Sequence, residues 1–358
     1  MPTNCLGDCF TVNLFGESHG ECVGALVSGC PSGLPLEIEE IQKELDRRKP
    51  GQSKVTTARK EEDIVHVRTG MFEGKTTGMP IVLIIENGDV DSSKYEEMRT
   101  KLRPGHADLA YHAKYHHRDH RGGGFSSGRL TAGIVAAGAI AKKVIGYFSG
   151  INIAGYTKAI GNLEAQNIDL DEVEKNIVRC PDPKVAEEMV KLIEKVRAEG
   201  DSIGGLVEVI ARGVPLGLGG PRFDNLKGAL DRAFHSSGAV TAIEYGRGIG
   251  ARYMRGSEFN DLPYSLTRKL PSFATNNSGG IQGGISNRNE IVARLTIRPT
   301  PSIGKPQKTL DVNYEAVSLV ISGRHDPCLC PRMVPVSEAL MAITLADVLL
   351  KQRAYEKF

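Results

Sequence analysis

Two histidines lie in short polar segments where proton transfer could take place. His19 is in the segment GESHG at 16–20, and His106 is in RPGHAD at 103–108. Both segments are typical of loops, where functional side chains concentrate. Because imidazole titrates near neutral pH, each histidine could donate a proton to a departing group. The alternative for each is a local hydrogen-bonding role without catalysis.

A cluster of cations follows the first predicted helix. The basic residues between positions 47 and 60 are Arg47, Arg48, Lys49, Lys54, Arg59 and Lys60. Arginine binds phosphate and carboxylate groups with two parallel hydrogen bonds, whereas lysine adds a point charge. The cluster therefore predicts an anion site, and a solvated basic face is the alternative.

Three loops rich in glycine and small polar residues could hold a ligand through backbone amides and hydroxyls. They are GGGFSSGR at 122–129, NNSGG at 276–280 and RPTPS at 298–302. The first runs directly into a predicted helix, whose N-terminal amides and dipole favour an anion. Ordinary turn and cap chemistry is the alternative for any one of these loops.

Other motifs argue against nucleotide and metal sites. The segment GMFEGKT at 70–76 is similar to a phosphate-binding P-loop, but it is one residue short between its glycines. No GxGxxG opens a helix after a strand, so a Rossmann dinucleotide site is unsupported. His112, His116, His117 and His120 lack a carboxylate or thiol in an established ligand pattern around them. They are interpreted as a surface cluster, and no metal is predicted.

A mixture of helices and strands must position these residues. Apolar spacing predicts helices at 38–45, 130–145, 185–196 and 336–351, and strands at 81–85, 206–211 and 291–297. Asp182–Pro183 opens the third helix, and Gly200 closes it. The elements lack the regular strand–helix alternation of a doubly wound sheet, which indicates the α+β class.

The composition limits the class of protein. The chain has 358 residues, and its 45 basic and 43 acidic side chains leave a net charge of only +2. This balance argues against nucleic-acid or membrane-surface binding. The first ten residues show no signal pattern, and the longest strongly apolar stretch, 133–141, is too short to span a bilayer. The 7 cysteines follow no regular framework, which predicts free thiols in the cytoplasm.

Seven dispersed segments together resemble the signature segments of chorismate synthase, in the order and with the spacing of that family. They are GESHG at 16–20, LDRRKPGQS at 45–53, RPGHAD at 103–108, RGGGFSSGR at 121–129, NNSGGIQGGIS at 276–286, RPTPSI at 298–303 and GRHDPC at 323–328. Such a set is far more specific than any one motif, so it strengthens each of the site interpretations above.

The resemblance implies a reaction. 5-Enolpyruvylshikimate 3-phosphate would lose phosphate and a ring hydrogen in a 1,4-anti elimination that gives chorismate, the last common step of aromatic amino-acid biosynthesis. Reduced FMN would be required without net redox change. Whether the protein reduces its flavin with NADPH or relies on an external reductase stays open. The resemblance further implies a single catalytic domain over residues 1–358, built from two packed antiparallel β-sheets covered by helices, and a homotetramer.

The resemblance also implies roles for individual residues. His19 would protonate the departing phosphate, His106 would protonate reduced flavin near its pyrimidine edge, and Asp326 would accept or relay a proton at the flavin ring nitrogen. The substrate would be bound by Arg48, Lys54, Arg103, Arg129 and Arg324. FMN would be bound by Ser126, Ser127, Gly238, Ala239, Gly283, Arg298, Pro299, Thr300, Pro301 and Ser302, with Arg324 contacting both ligands.

Several positions depart from the residues common in the family. Arginine is common at the positions of Phe125 and Lys54, asparagine at Gly238, glutamate at Leu130 and lysine at Arg298. These changes concern flavin affinity more than the chemistry, because both histidines and Asp326 match. Two rival classes are an RNA- or anion-binding protein that uses the basic cluster at 47–60 and a phosphoryl-transfer enzyme that uses 70–76.

Overall fold

The structure, a computed structural model, describes residues 3–49, 51, 62–88, 93–264, 271–321 and 325–353. The helices are α1 (Ile38–Arg48), α2 (Asp108–Tyr115), α3 (Thr131–Ser149), α4 (Pro183–Ala198), α5 (Leu226–His235), α6 (Gly256–Phe259) and α7 (Cys330–Arg353). The strands are β1 (Cys5–Leu6), β2 (Thr11–Gly16), β3 (Cys22–Ser28), β4 (Val65–Val67), β5 (Met71–Phe72), β6 (Lys75–Thr76), β7 (Ile81–Glu86), β8 (Asn152–Ile160), β9 (Leu163–Glu164), β10 (Gly205–Arg212), β11 (Val240–Tyr245), β12 (Pro263–Tyr264), β13 (Ser272–Phe273), β14 (Ile281–Gln282), β15 (Ile285–Ser286), β16 (Ile291–Ile297), β17 (Gln307–Leu310) and β18 (Ala316–Leu319).

Two antiparallel sheets carry most of the extended structure. The N-terminal sheet has the order β1-β2-β3-β7-β4, and the second sheet has the order β11-β16-β10-β8-β9. The pairs β5–β6, β12–β13, β14–β15 and β17–β18 form short separate hairpins. The strands predicted from apolar spacing are confirmed as β7, β10 and β16. In β16 the alternation is as expected, because Ile291, Ala293, Leu295 and Ile297 are buried.

The α+β class with two antiparallel sheets is confirmed. The position of two helices differs from the expectation that helices cover the outside, because α3 and α7 lie between the sheets. Helix α3 packs on β3, α7 packs on β8 and β10, and the two helices pack on each other. A helix that is apolar on all sides must be buried on all sides. Gly138 allows the close approach, since a methyl group there would lie 2.3 Å from Cβ of Ala339.

The length and composition of these two helices would suffice to cross a membrane. The most apolar stretch of each helix is mostly buried inside the protein. The buried share of that stretch is 67% in the segment Gly128–Ser149 and 94% in Cys330–Arg353. The apolar composition of these two helices is therefore explained by their burial between the two sheets.

Helix α7 begins at Cys330, earlier than the predicted start at 336. Pro335 lies inside the helix and has no N–H to donate to the carbonyl of Pro331. Nη1 of Arg179 donates to that carbonyl instead, at 2.8 Å. The long-range hydrogen bond satisfies the carbonyl that the proline leaves unpaired, so the helix continues through Pro335.

Candidate functional site

The glycine loop at 122–124 brings the two predicted catalytic histidines together. A methyl group on Gly122 would lie 2.2 Å from Nδ1 of His19, and one on Gly123 would lie 2.8 Å from Cε1 of His106. Both glycines have positive φ, 59° and 99°, which side chains other than glycine rarely adopt. The two imidazoles therefore contact consecutive residues of one loop.

His106 is oriented by a buried carboxylate. Its Nδ1 lies 3.2 Å from Oδ1 of Asp108 and 3.3 Å from Nη2 of Arg103. Arg103 also donates hydrogen bonds to the Asp108 carboxylate from both Nε and Nη2, each at 2.7 Å. Burial alone would raise the pKa of Asp108, but hydrogen bonds and charge from Arg103 and His106 hold it well below its usual range. Asp108 thereby orients the ring of His106, as a triad aspartate orients its histidine.

His19 is also fixed within the protein interior. Its side chain is buried, its Nδ1 lies 3.2 Å from Oγ of Ser18, and its ring packs edge-on against Tyr95 with centroids 4.8 Å apart. The backbone N–H of Ser18 donates to the carbonyl of Gly124 at 3.4 Å. The turn at 16–20 is thus attached to the same glycine loop that contacts both imidazoles.

Two of the predicted substrate-binding arginines, Arg48 and Arg129, meet at Asp63. Nη1 of Arg48 lies 2.7 Å from Oδ2 of Asp63, and Nη1 of Arg129 donates to Oδ1 of the same carboxylate. Both guanidinium groups are almost fully buried. Burial and the neighbouring charges of Arg332 and Arg129 lower the pKa of Arg48 to about 9. The arginines form an enclosed cationic cluster with one internal counter-charge.

Asp326 lies on the other side of this cluster. Its Oδ2 is 2.5 Å from Nη1 of Arg332, whose charge reaches Arg48. His325 is the next residue, and its pKa is lowered by burial and by the charge of Arg103, with a smaller effect from His106. Asp326 is therefore connected to the arginine cluster through Arg332 and to His106 through the preceding residue, His325.

The loop at 298–302, predicted to bind the cofactor, packs against the loop that carries His106. The N–H of Arg298 donates to the carbonyl of Ala239 at 2.9 Å, and Nη1 donates to the carbonyl of Gly105 at 2.7 Å. A methyl group on Gly105 would lie 3.1 Å from Cβ of Pro301. Nε of Arg298 and Oγ1 of Thr300 are buried without a hydrogen-bond partner. These two buried polar atoms are suited to hydrogen-bond a polar ligand.

The other described residues predicted to bind the cofactor, apart from Gly283, lie in three places: the loop after Gly123, the segment around 298–302, and the residues just before β11. Oγ of Ser126 donates to the carbonyl of Gly123 at 2.8 Å, and Oγ of Ser127 accepts from the N–H of Arg129 at 3.2 Å. Ser302 is buried, and Pro299 packs near Gly204. Gly238 leads into Ala239 at the start of β11, with open space at its Cα.

Gly283 belongs to a hairpin that is distant in sequence from the loop contacting both histidines. It lies in the exposed turn between β14 and β15, a hairpin that bonds the segment 215–226. Lys54 and Arg324, both predicted to bind the substrate, lie outside the described residues.

Of the basic residues between positions 47 and 60, the structure describes Arg47, Arg48 and Lys49, and these three have different partners. Arg48 faces the site, whereas Arg47 binds Glu338 and Lys49 pairs with Asp46 at the surface. The neighbouring cations therefore do not form one anion site. Arg59 and Lys60 lie outside the described residues.

The P-loop-like segment and the histidine cluster have structural explanations. Residues 70–76 contain the hairpin β5–β6, whose turn residues Glu73 and Gly74 both have positive φ. His116 ends α2 in the left-handed conformation, and His117 and His120 line a cavity of about 550 Å³. Among the described residues, no group of three His, Cys, Asp or Glu side chains could hold a metal ion. All 7 cysteines are free thiols.

Sequence reasoning assigned no role to Asp63, Asp108 or Arg332, which the structure places at the site. Asp108 was visible inside the RPGHAD segment, and Arg332 is a single cation within an otherwise apolar stretch. A charged residue in an apolar stretch is a signal of a buried pair. Asp63 has no local signal, because its partners are 15 and 66 positions away along the chain.

Fold and site together define an α+β protein with the charged interior typical of an enzyme: two imidazoles contact one glycine loop, and buried arginines are held by the carboxylates of Asp63 and Asp108. The sequence model of one family, described as chorismate synthase, matches residues 10–350. Chorismate synthases from Chloroflexus aurantiacus and Methanocaldococcus jannaschii are 48% and 49% identical to this chain. The alignments cover 99% and 97% of this chain and 97% and 96% of those proteins.

A solved structure agrees with these relatives. A crystal structure of chorismate synthase superposes with a TM-score of 0.78 and 30% identity, covering 97% of this chain and 93% of that one. The chain belongs to the chorismate synthase family.

Proposed function

We propose that this protein is a carbon–oxygen lyase that converts 5-enolpyruvylshikimate 3-phosphate into chorismate by 1,4-anti elimination of phosphate, with reduced FMN as cofactor. The observation that carries the proposal is the contact of His19 and His106 with consecutive glycines of one loop. Two proton donors held so close can serve two ligands in one pocket. Family membership supports the same reaction.

The substrate suits the charge of the pocket. A phosphate and two carboxylates need several cations. Arg48, Arg103 and Arg129 are buried, and Arg103 contacts His106. Bonds to charged groups contribute about 1.5–3 kcal/mol each, so a few of them give firm binding. The same arginines stabilise charge on the leaving phosphate, and His19 gives it a proton. Lys54 and Arg324 are proposed to complete the set.

The flavin would be held by the loop at 298–302, by Ser126 and Ser127, and by Gly238–Ala239 and Gly283. The chemistry that reduced FMN would supply there is electron density for the allylic system and uptake of the ring hydrogen, without net redox change. His106, held by Asp108, keeps a proton at the pyrimidine edge of the ring. Asp326 holds or relays a proton at the ring nitrogen that receives the substrate hydrogen. Arg332 fixes the orientation of the Asp326 carboxylate.

We also propose a single catalytic domain and a cytoplasmic homotetramer. The largest hydrophobic cluster contains residues of both sheets and of α1, α3 and α7, which supports one domain. Large apolar side chains remain exposed on this chain, and they favour burial against further copies: Phe223, Ile249, Tyr253 and Leu262.

The experiment that tests the function is an anaerobic assay with reduced FMN and the enolpyruvyl phosphate. We expect chorismate and phosphate to appear in equal amounts, and oxidised FMN to give no turnover. Turnover with NADPH and oxidised FMN alone would show that the protein reduces its own flavin. Release of phosphate only in the presence of a nucleotide would overturn the proposal in favour of phosphoryl transfer.

Gly123→Ala is expected to lower turnover at least tenfold, because the new methyl group would displace the ring of His106. Positive φ at this position adds a backbone cost of about 1–2 kcal/mol. Gly74→Ala is a matched control, since Gly74 also has positive φ, 71°, but nothing lies within 4 Å of the added methyl. Steady-state kinetics and thermal unfolding of both variants separate the two effects. Equal turnover in the two variants would argue against a functional contact at Gly123.

Asp326→Asn is expected to slow single-turnover chemistry about 100-fold while flavin stays bound. The amide keeps the shape of the side chain but cannot accept a proton at neutral pH. Stopped-flow kinetics and a fluorescence titration with FMN measure the two properties. Asp171→Asn, at an exposed position, serves as the control. Unchanged single-turnover kinetics in Asp326→Asn would remove its proposed role.

A further inference from the structure

Asp63 is held in an unusual backbone conformation beneath the arginine cluster. Its φ is 52°, in the left-handed region, and its side chain is completely buried. Gln42 of α1 fixes the turn: its Nε2 donates to the carbonyl of Asp63 at 3.2 Å, and its Oε1 accepts from the N–H of Val65 at 3.0 Å. A non-glycine residue in this region persists only when its surroundings hold it there.

The carboxylate joins arginines from two separate elements. Arg48 is the last residue of α1, and Arg129 lies in the 3-10 turn that precedes α3. Oδ2 of Asp63 accepts from Arg48, and Oδ1 accepts from Arg129. One carboxylate therefore sets the distance and relative orientation of two guanidinium groups.

The other nitrogens of Arg48 are fixed as well. Nε donates to Oγ1 of Thr131 at 3.0 Å, and Nη2 donates to the carbonyl of Gly128 at 3.0 Å. With Asp63 on Nη1, the plane of the guanidinium group cannot rotate freely.

Arg129 is held in the same way from the opposite side. Nε donates to Oδ1 of Asn87 at 2.8 Å, and Nη2 donates to the carbonyl of Glu86 at 3.0 Å. Each arginine thus has neutral partners on two nitrogens and the charged oxygen of Asp63 on the third.

Asp63 is also the negative charge that makes this cluster stable before an anion arrives. Arg48 and Arg129 are buried, and the like charges of Arg332 and Arg129 act on Arg48. Removing one partner from a buried charged cluster leaves the others uncompensated. Without Asp63 the arginines would move apart or lose ionic character, and the site would be less ordered for a polyanion.

We infer that Asp63 is a positioning residue for the substrate: it holds Arg48 and Arg129 at the separation that binds the phosphate and carboxylate groups of the ligand. The inference rests on the proposed function, because it takes these arginines as the substrate site. Asp63 itself is not expected to contact the substrate, because its negative charge would repel a polyanion and both of its oxygens already accept from Arg48 and Arg129. Its effect is therefore on affinity rather than on proton transfer.

The test is Asp63→Asn, compared with the exposed neighbouring substitution Glu62→Gln. We expect the KM and the calorimetric Kd for the enolpyruvyl phosphate to rise at least tenfold in Asp63→Asn. The kcat should fall by a smaller factor, because the same arginines also stabilise charge on the leaving phosphate. The Kd of oxidised FMN alone should stay unchanged, because the loop at 298–302 does not use Asp63. Glu62→Gln should behave as the unmodified protein.

A merely structural role would give a different pattern. Asp63→Asn would then lower kcat in proportion to the folded fraction and leave KM unchanged, and that result would overturn the inference. If Asp63→Asn fails to fold, Gln42→Ala is the second variant. Gln42 is half-buried, and its removal loosens the turn that holds Asp63. We expect the KM of Gln42→Ala to rise twofold to fivefold. An unchanged KM in folded Gln42→Ala would equally contradict the inference. Lack of turnover by the unmodified protein would instead contradict the proposed function.

Discussion

Replacing His106 by alanine is expected to lower kcat by about 10²–10⁴-fold, the range for losing a positioned acid–base group. His19→Ala should have an effect of similar size, because the two imidazoles serve different ligands and neither can replace the other. Both side chains lie against glycines of the 122–124 loop, so their removal leaves small cavities without breaking a core element. Anaerobic steady-state kinetics measure the loss, and circular dichroism checks the fold.

The control for both variants is His235→Ala. His235 is exposed at the end of α5, where its Nδ1 lies 3.2 Å from the carbonyl of Asp231. We expect its kcat and KM to equal those of the unmodified protein. Full activity in folded His106→Ala and His19→Ala would refute their assignment as proton donors.

Glu338→Ala is expected to reduce the free energy of unfolding by about 3–5 kcal/mol, the usual result of removing one partner from a buried ion pair. Glu338 is 2% exposed and binds Arg47 with both carboxylate oxygens, at 2.6 and 2.9 Å. It also accepts from Nζ of Lys142 at 2.6 Å and from the N–H of Gly155 at 2.8 Å. The single carboxylate connects α1, α3, α7 and β8, so its loss leaves two cations without their buried partner.

Urea unfolding measures this loss, with Glu188→Ala as the control. Glu188 lies on the exposed face of α4, where substitution usually changes stability by less than about 0.5 kcal/mol. Equal midpoints for the two variants would show that the Glu338 network adds no stability.

The same network predicts a dependence of stability on pH. Burial would raise the pKa of Glu338, but Lys142 and Arg47 lower it from 4.5 to about 2. Because the folded-state pKa is depressed, the stabilisation is fully present above the unfolded-state value and is lost as the pH falls toward about 2. The difference in unfolding free energy between the unmodified protein and Glu338→Gln should therefore become smaller as the pH falls from 4.5 to about 2. A constant difference over that range would contradict the assignment.

The sequence by itself determined the family and the local elements. Seven dispersed segments pointed to chorismate synthase, and the apolar spacing located β7, β10, β16, α1 and α4. These features depend on residue order and on short-range periodicity, which the chain displays directly. Asp182 caps α4 as its sequence suggests, and the segment 70–76 is a hairpin rather than a phosphate loop.

Tertiary structure decided which charged residues belong to the site. Arg47 and Arg48 are adjacent in sequence, yet one stabilises the helix interface through Glu338 and the other joins Asp63 and Arg129 in a buried cluster. Neighbouring positions on a helix point about 100° apart, so each side chain meets a different layer. Which carboxylate lies in that layer depends on long-range packing. Local sequence patterns carry no information about such partners, and Asp63 could be recognised only in the folded protein.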